Sequence, residues 1–279
     1  MDEEWEYYNH ALIPTTAPDV IPDTSWMKDN RKWKELAGGR HPLFARWVTD
    51  FDCQEETEWW YIIRNAPFEL DDLEKKSQKH IKQALRKCIC RRINASECVE
   101  DLYRVYEEAY IRYKNADNKV TYEQFVKECL NIDENMEYWG GYDLSDRMVG
   151  YVIVIVHENY AETSTAKFST PYMNLRVSDA LYYTILEYYL NQKGKRYISS
   201  GQRSINHVTN TQDYKIKTFG FRKAYCRLCI KYNPKITWLI YMLYPFRNIL
   251  KIFSGHVLFH QLTAVLEMEE IVRKSKKDK

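Results

Sequence analysis

Several side chains in the second half of the chain are of types that move protons or hold charge. His157 ends the apolar run Val149 to Val156, where an imidazole could act as a base or simply close a strand. Ser199, Ser200 and Gln202 leave a second β run, Arg196 to Gly201, and Arg203 and Asn206 come just after it. Arg176 could grip a phosphate with two parallel hydrogen bonds or stand as a solvated side chain. Upstream, residues 75 to 92 carry eight positive and no negative side chains, which reads as a solvated helix face or as a surface for a phosphate-rich partner. The seven cysteines are an odd number spread over the whole length, the pattern of free thiols in a reducing compartment. Cys226-x-x-Cys229 has no second pair or histidine at ligand spacing, so no metal is expected. No P-loop, dinucleotide fingerprint, Gly-x-Ser-x-Gly or paired-carboxylate motif is present.

The elements that must position these groups follow from periodicity. Glu58 to Arg64 (EWWYIIR) predicts a strand ended by Asn65-Ala66-Pro67. A helix follows from Asp71, with Leu73, Ser77, Ile81, Ala84, Leu85 and Cys88 on one face and lysines over the rest. Ile89 to Ile93 predicts a short strand. Ser96 is the expected N-cap of a helix striped by Val99, Leu102, Tyr106, Ala109 and Tyr113, and Thr121 with Gln124 is a capping-box signature for another. Three strands are expected at 137–144, 147–157 and 160–170. Val177, Leu181, Thr184, Ile185 and Tyr188 mark one helical face, stopped by Gly194. A strand at 196–201, a short helix at 206–218 and a strand at 225–232 complete the series.

At 279 residues the chain can bury a sizeable core in one large domain or a medium one with appendages. A net charge of +2 gives no bulk attraction to nucleic acid, so any electrostatic message is local. The 23 tyrosines and 8 tryptophans suit either a ligand cleft or a tyrosine-rich core.

The order helix, Gly194, strand, Asn206, short helix with Tyr214, Gly220-Phe221, strand resembles the C-terminal half of the GNAT (GCN5-related N-acyltransferase) superfamily. The helix motif Leu73-x-x-Lys76-x-x-x-His80-Ile81-x-x-Ala84 looks like one seen in its Fem-type branch, the peptidoglycan aminoacyltransferases that use aminoacyl-tRNA and a lipid-linked sugar. The resemblance implies an α/β (α+β) fold: a GNAT-like mixed sheet flanked by helices, with a C-terminal helical extension. It implies acyl transfer from acetyl-CoA or another acyl-CoA to a primary amine, on a small molecule, an amino sugar or a cell-envelope glycan precursor. The alternatives are aminoacyl transfer with tRNA as donor, and a non-catalytic interaction module. The donor would lie between the strands at 160–170 and 196–201. Asn174, Leu175, Arg176, Val177 and Ser178 at the helix start, with Asn206, would bind it, the helix terminus taking the pyrophosphate. The superfamily's Gln/Arg-x-x-Gly-x-Gly/Ala loop is replaced by Ser169-Thr170-Pro171-Tyr172. Tyr214, Ser200 and His157, the last as a base, are then the catalytic candidates, and Gln202 and Arg203 the contacts for substrate.

The expected domains are an irregular N-terminal arm (1–57), the GNAT-like domain (58–233) and the helical extension (234–279). Met1-Asp2-Glu3-Glu4 is acidic with no apolar run after it, which implies the cytoplasm. Neither apolar run after Pro234 reaches the roughly 20 residues that span a bilayer. The extension is expected to lie at the inner membrane face, with terminal lysines near anionic lipid, or to form a hairpin over the sheet or a homodimer contact.

Overall fold

The computed structural model describes residues 4–111, 119–205, 210–252 and 257–277. In chain order, strands β1 (Trp5–Tyr8) and β2 (Ala11–Pro14) are followed by helix α1 (Asn30–Leu36) and strand β3 (Phe44–Cys53). Then come β4 (Trp59–Asn65), α2 (Lys75–Leu85), β5 (Cys88–Ile93), α3 (Val99–Tyr110) and α4 (Tyr122–Leu130). Next are β6 (Met136–Asp143), β7 (Met148–Val156), β8 (Tyr160–Phe168), α5 (Val177–Leu186), β9 (Tyr197–Gln202), α6 (Thr211–Phe219) and β10 (Arg222–Tyr232). Helices α7 (Thr237–Leu243), α8 (Arg247–Ile252) and α9 (Val257–Lys277) end the chain. Two compact units result. One takes the described residues up to Tyr61, those from Gln202 to Ile205 and those from Lys223 onward; the other takes Ile62 to Gly201 and Asn210 to Arg222.

In the second unit the strands run in the order β4-β9-β8-β7-β6-β5. Neighbours from β5 to β8 are antiparallel, and β8 with β9 is parallel. Val149, Val152 and Val154 are fully buried, as the apolar run of β7 requires of a strand covered on both faces. Helices α3 and α4 cover one face, where Leu102, Val105, Tyr106 and Phe125 pack on Tyr138, Tyr142 and Tyr151. Helix α5 covers the other and approaches closely because Gly141 and Gly150 carry no side chains beneath it. A Cβ on Gly141 would stand 2.5 Å from Val177 Cγ2 and 2.9 Å from Leu181 Cδ1, both in the buried core. Gly141→Ala is therefore expected to destabilise the fold by about 1–3 kcal/mol through overpacking. Chemical denaturation reads this as a lower midpoint at unchanged slope; an unchanged midpoint would mean that α5 lifts off the sheet at no cost.

The capping box of α4 is present, with Thr121 Oγ1 accepting from Gln124 N–H and the Gln124 side chain accepting from Thr121 N–H. Ser96 is not the N-cap of α3. Asn94 draws the Ser96 N–H and hydroxyl onto its own carboxamide oxygen, which winds Ala95–Glu97 into a 3-10 turn and delays the helix to Val99.

The first unit corrects the expectation of an irregular arm. Strand β1 pairs antiparallel with β2, β2 parallel with β3, and β3 antiparallel with β10. The early tryptophans that lacked a period form one cluster of edge-on rings, Trp5 on Trp26 and Trp47, and Trp26 on Trp33. Helix α9 is fastened to β10 by Tyr232 Oη, which donates to Glu269 over 2.9 Å.

Candidate active site

Parallel strands β8 and β9 pair at three positions only: Tyr160 with Tyr197, Ala161 with Ile198, and Glu162 with Ser199. Beyond these, β8 continues to Phe168 and β9 to Gln202, so the two strands part in the middle of the sheet. A register shift against β7 falls at the same place. Ile153 faces Thr165 and Val154 faces Thr163, leaving Ser164 as an extra residue with no partner on β7. Such a bulge releases a backbone N–H from the ladder, the kind of donor that an oxyanion needs.

Lys215 of α6 occupies this fork. Its ammonium group donates to Thr163 Oγ1 on β8 over 2.8 Å and to Ser200 Oγ on β9 over 2.6 Å, bridging the strands just past their last pair. The Tyr182 ring lies 4.3 Å from Nζ, and the side chain is buried. Burial lowers the Lys215 pKa to about 7, partly opposed by the nearby Glu162 carboxylate; burial in turn raises Glu162. An amine held near neutrality, between two hydroxyls and beside a bulge, can take a proton from an incoming nucleophile and return it to a leaving group.

The start of α5 lies beside this group and shares Tyr182 with it. Tyr214 precedes Lys215 on α6, and its hydroxyl donates to the Asp179 carboxylate and contacts Ser178 Oγ at 3.2 Å. Burial and the Asp179 charge push the Tyr214 pKa well up, so the phenol stays protonated. Asp179 itself is buried in the first turn of α5, where it already supplies the negative charge that the helix dipole favours. Arg176 caps the helix in the left-handed conformation, with φ at 57°, and pairs with Asp179 at 3.4 Å.

The other expected site residues are dispersed. Asn174 and Leu175 sit in a 3-10 run, Thr170–Leu175, and Val177 is a core residue over Gly141 and Gly150. Ahead of that run, Ser169 donates its hydroxyl to Glu108 and its N–H to Val149. His157 lies before the start of β8, at the end away from the fork, with its ring stacked on Tyr160 at 4.2 Å. Burial and then Lys195 lower its pKa. Gln202 and Arg203 belong to the first unit. There Arg203 is committed to the Glu58 carboxylate at 2.9 Å and to the Trp60 ring at 4.7 Å. Asn206 lies outside the described residues.

Lys215, Thr163, Glu162 and Asp179 were not among the expected site residues. One signal for Lys215 stood in the sequence: it precedes Phe219 by one helical turn, and these two are the buried positions of α6.

Helix α2 packs beside α5, with His80 near Arg176 and Asp179 at the α5 start. His80, whose pKa is lowered first by burial, feels the charges of Arg176, Lys76 and Lys79. Lys75, Lys76, Lys79, Lys82, Arg86 and Lys87 are all exposed, and none forms an ion pair among the described residues.

Coenzyme A in this fold needs a path between the parted strands and a pyrophosphate seat at the α5 start. The path holds the Lys215 side chain, and the seat holds a buried carboxylate behind a glycine-free turn, so the residues present do not fit that donor. Among the described residues no cluster of His, Cys, Asp and Glu could hold a metal ion.

By sequence, no protein-family model and no curated protein matches the chain. By structure, the chain is similar to FemX, with a TM-score of 0.56 at 9% identity over 85% of each chain. It is also similar to the C-terminal domain of a putative lysylphosphatidylglycerol synthetase from Agrobacterium fabrum, with a TM-score of 0.53 at 11% identity over 85% of this chain and 82% of that one. The structure of L-PGS from Bacillus licheniformis gives 0.52 at 10% identity, over 95% and 84%. The fold is thus GNAT-like, in its Fem-type form: a mixed sheet flanked by helices with a C-terminal helical extension.

Proposed function

We propose that this protein is an acyltransferase that moves an aminoacyl group from tRNA to an amine acceptor of the glycan-precursor kind. The amine nitrogen attacks the ester carbonyl, a C–N bond forms, the ester C–O bond breaks, and the amine proton passes by way of Lys215 to the departing ribose hydroxyl. The observation that carries the reading is Lys215 in the fork between β8 and β9, where it supplies a near-neutral amine at the place a pantetheine arm would take. The exposed cations of α2, the helix packed beside α5, support a polyanionic donor. With such a donor the protein would work in the cytoplasm.

The test is thermal unfolding with millimolar acetyl-CoA beside filter binding of tRNA. A ligand that binds only the folded state must raise the melting temperature. The expected result is no rise with acetyl-CoA and salt-dependent retention of tRNA. A rise with acetyl-CoA and no retention of tRNA would return the donor to the coenzyme A class. A second reading, a fold kept for binding without catalysis, is favoured by the same bridged fork; it predicts that replacing Lys215 leaves ligand binding untouched and that no transfer is found.

A further inference from the structure

We infer that α7 and α8 form a docking face for an anionic lipid surface. Trp238, Tyr241, Met242, Phe246, Ile249 and Ile252 recur at intervals of three and four residues, the stripe that a surface helix ordinarily turns toward its core. Here the stripe points outward, and all six side chains are between 55% and 78% exposed. The polar side is what holds the segment down. Arg247 pairs with Glu270 of α9 at 3.1 Å, and Lys251 pairs with Glu267. The amphipathic segment is thus fastened by its charges with its apolar side free, well beyond the scattered exposed apolar residues of an ordinary surface.

Two observations select the occupant. Residues 223 to 266 contain no Asp or Glu, and Lys231 and Lys235, which lead into α7, are exposed and in no ion pair among the described residues. A second copy docking on the same face would bring these two lysines toward their own counterparts with no carboxylate of the segment to pair them, whereas an anionic headgroup layer complements them. Trp and Tyr, both in the stripe, are the side chains that settle at headgroup level. Among the described residues no helix is long and apolar enough to cross a membrane, so the contact is one of lying on the surface. This inference is independent of the donor and stands or falls apart from the transfer reaction.

The test is flotation of the full chain with vesicles of phosphatidylcholine alone and of phosphatidylcholine with phosphatidylglycerol. Binding is expected to the anionic vesicles, weakened by salt, and at least about tenfold weaker for Phe246→Ser with Ile249→Ser. Both side chains are more than half exposed, so an unchanged melting temperature is the folding control. If that pair lowers it, Ile252→Asp, at the 78% exposed position, carries the same expectation. The inference is overturned by absence of binding to either vesicle, by equal binding of the variants, or by a dimer in sedimentation that Ile252→Asp dissociates while vesicles stay bare.

Discussion

Replacing Lys215 with Met is expected to lower aminoacyl transfer by at least about a hundredfold while leaving the fold as stable as before or more so at neutral pH. The stability half follows from linkage. Unfolded lysine titrates at 10.5 and Lys215 in the fold at about 7. Between these values the unfolded state holds a proton that the folded state lacks, so wild-type stability rises with pH from about 7 to 10.5. Below 7 the fold carries the whole cost of a buried ammonium, on the order of 5 kcal/mol for such a shift. Met fills the same volume without charge. Its melting temperature should therefore exceed the wild type's near pH 6, and the gap should close toward pH 10. The activity half has its own signature: wild-type transfer rises with pH through about 7 as the amine becomes neutral, and that limb vanishes in the variant. Transfer retained near the wild-type level would remove Lys215 from the reaction. A variant less stable than wild type at pH 6 would mean that the amine's bonds to Thr163 and Ser200 outweigh its desolvation.

Lys215 also marks the limit of what the sequence disclosed. From β4 to β10 the expected order of elements agrees with the structure, since the elements announce themselves in the residue pattern: a continuous apolar run for β7, a period of nearly four for α2, α3 and α5. The resemblance, not a period, pointed to the strands at 160–170 and 196–201, and these are the two that pair at only three positions. The first fifty residues gave no such period because their order is set by contact. Trp5, Trp26, Trp33 and Trp47 meet only in space, and β3 hides its alternation behind half-buried Arg46 and the positive-φ residues Asp50 and Asp52. The site was harder still. A lysine is read as a surface residue unless something shows it buried, and that something is tertiary: two strands parting around the one helical turn that reaches them. Tyr214 was named with its hydroxyl partner unknown, and Asp179, which receives it, lies on another helix.

Neutralising the basic face of α2 is expected to have the second large effect. With Lys76→Gln and Lys79→Gln together, tRNA binding should weaken about tenfold or more at physiological salt, and the slope of log K against log salt should flatten by about 1 to 2. Both lysines are exposed and free of ion pairs among the described residues, so each substitution should change stability by less than about 0.5 kcal/mol. The buried face of α2, with Ser77, Ile81 and Ala84, is untouched, so an unchanged melting temperature makes the loss a statement about the surface alone. The slope carries the inference. A lysine touching phosphate releases a counterion when it binds, whereas a lysine that merely keeps the helix soluble alters neither the slope nor the affinity. Unchanged binding would make the charges of α2 a solvated helix face, and the donor would then have to reach the Lys215 fork by a route that these lysines do not line.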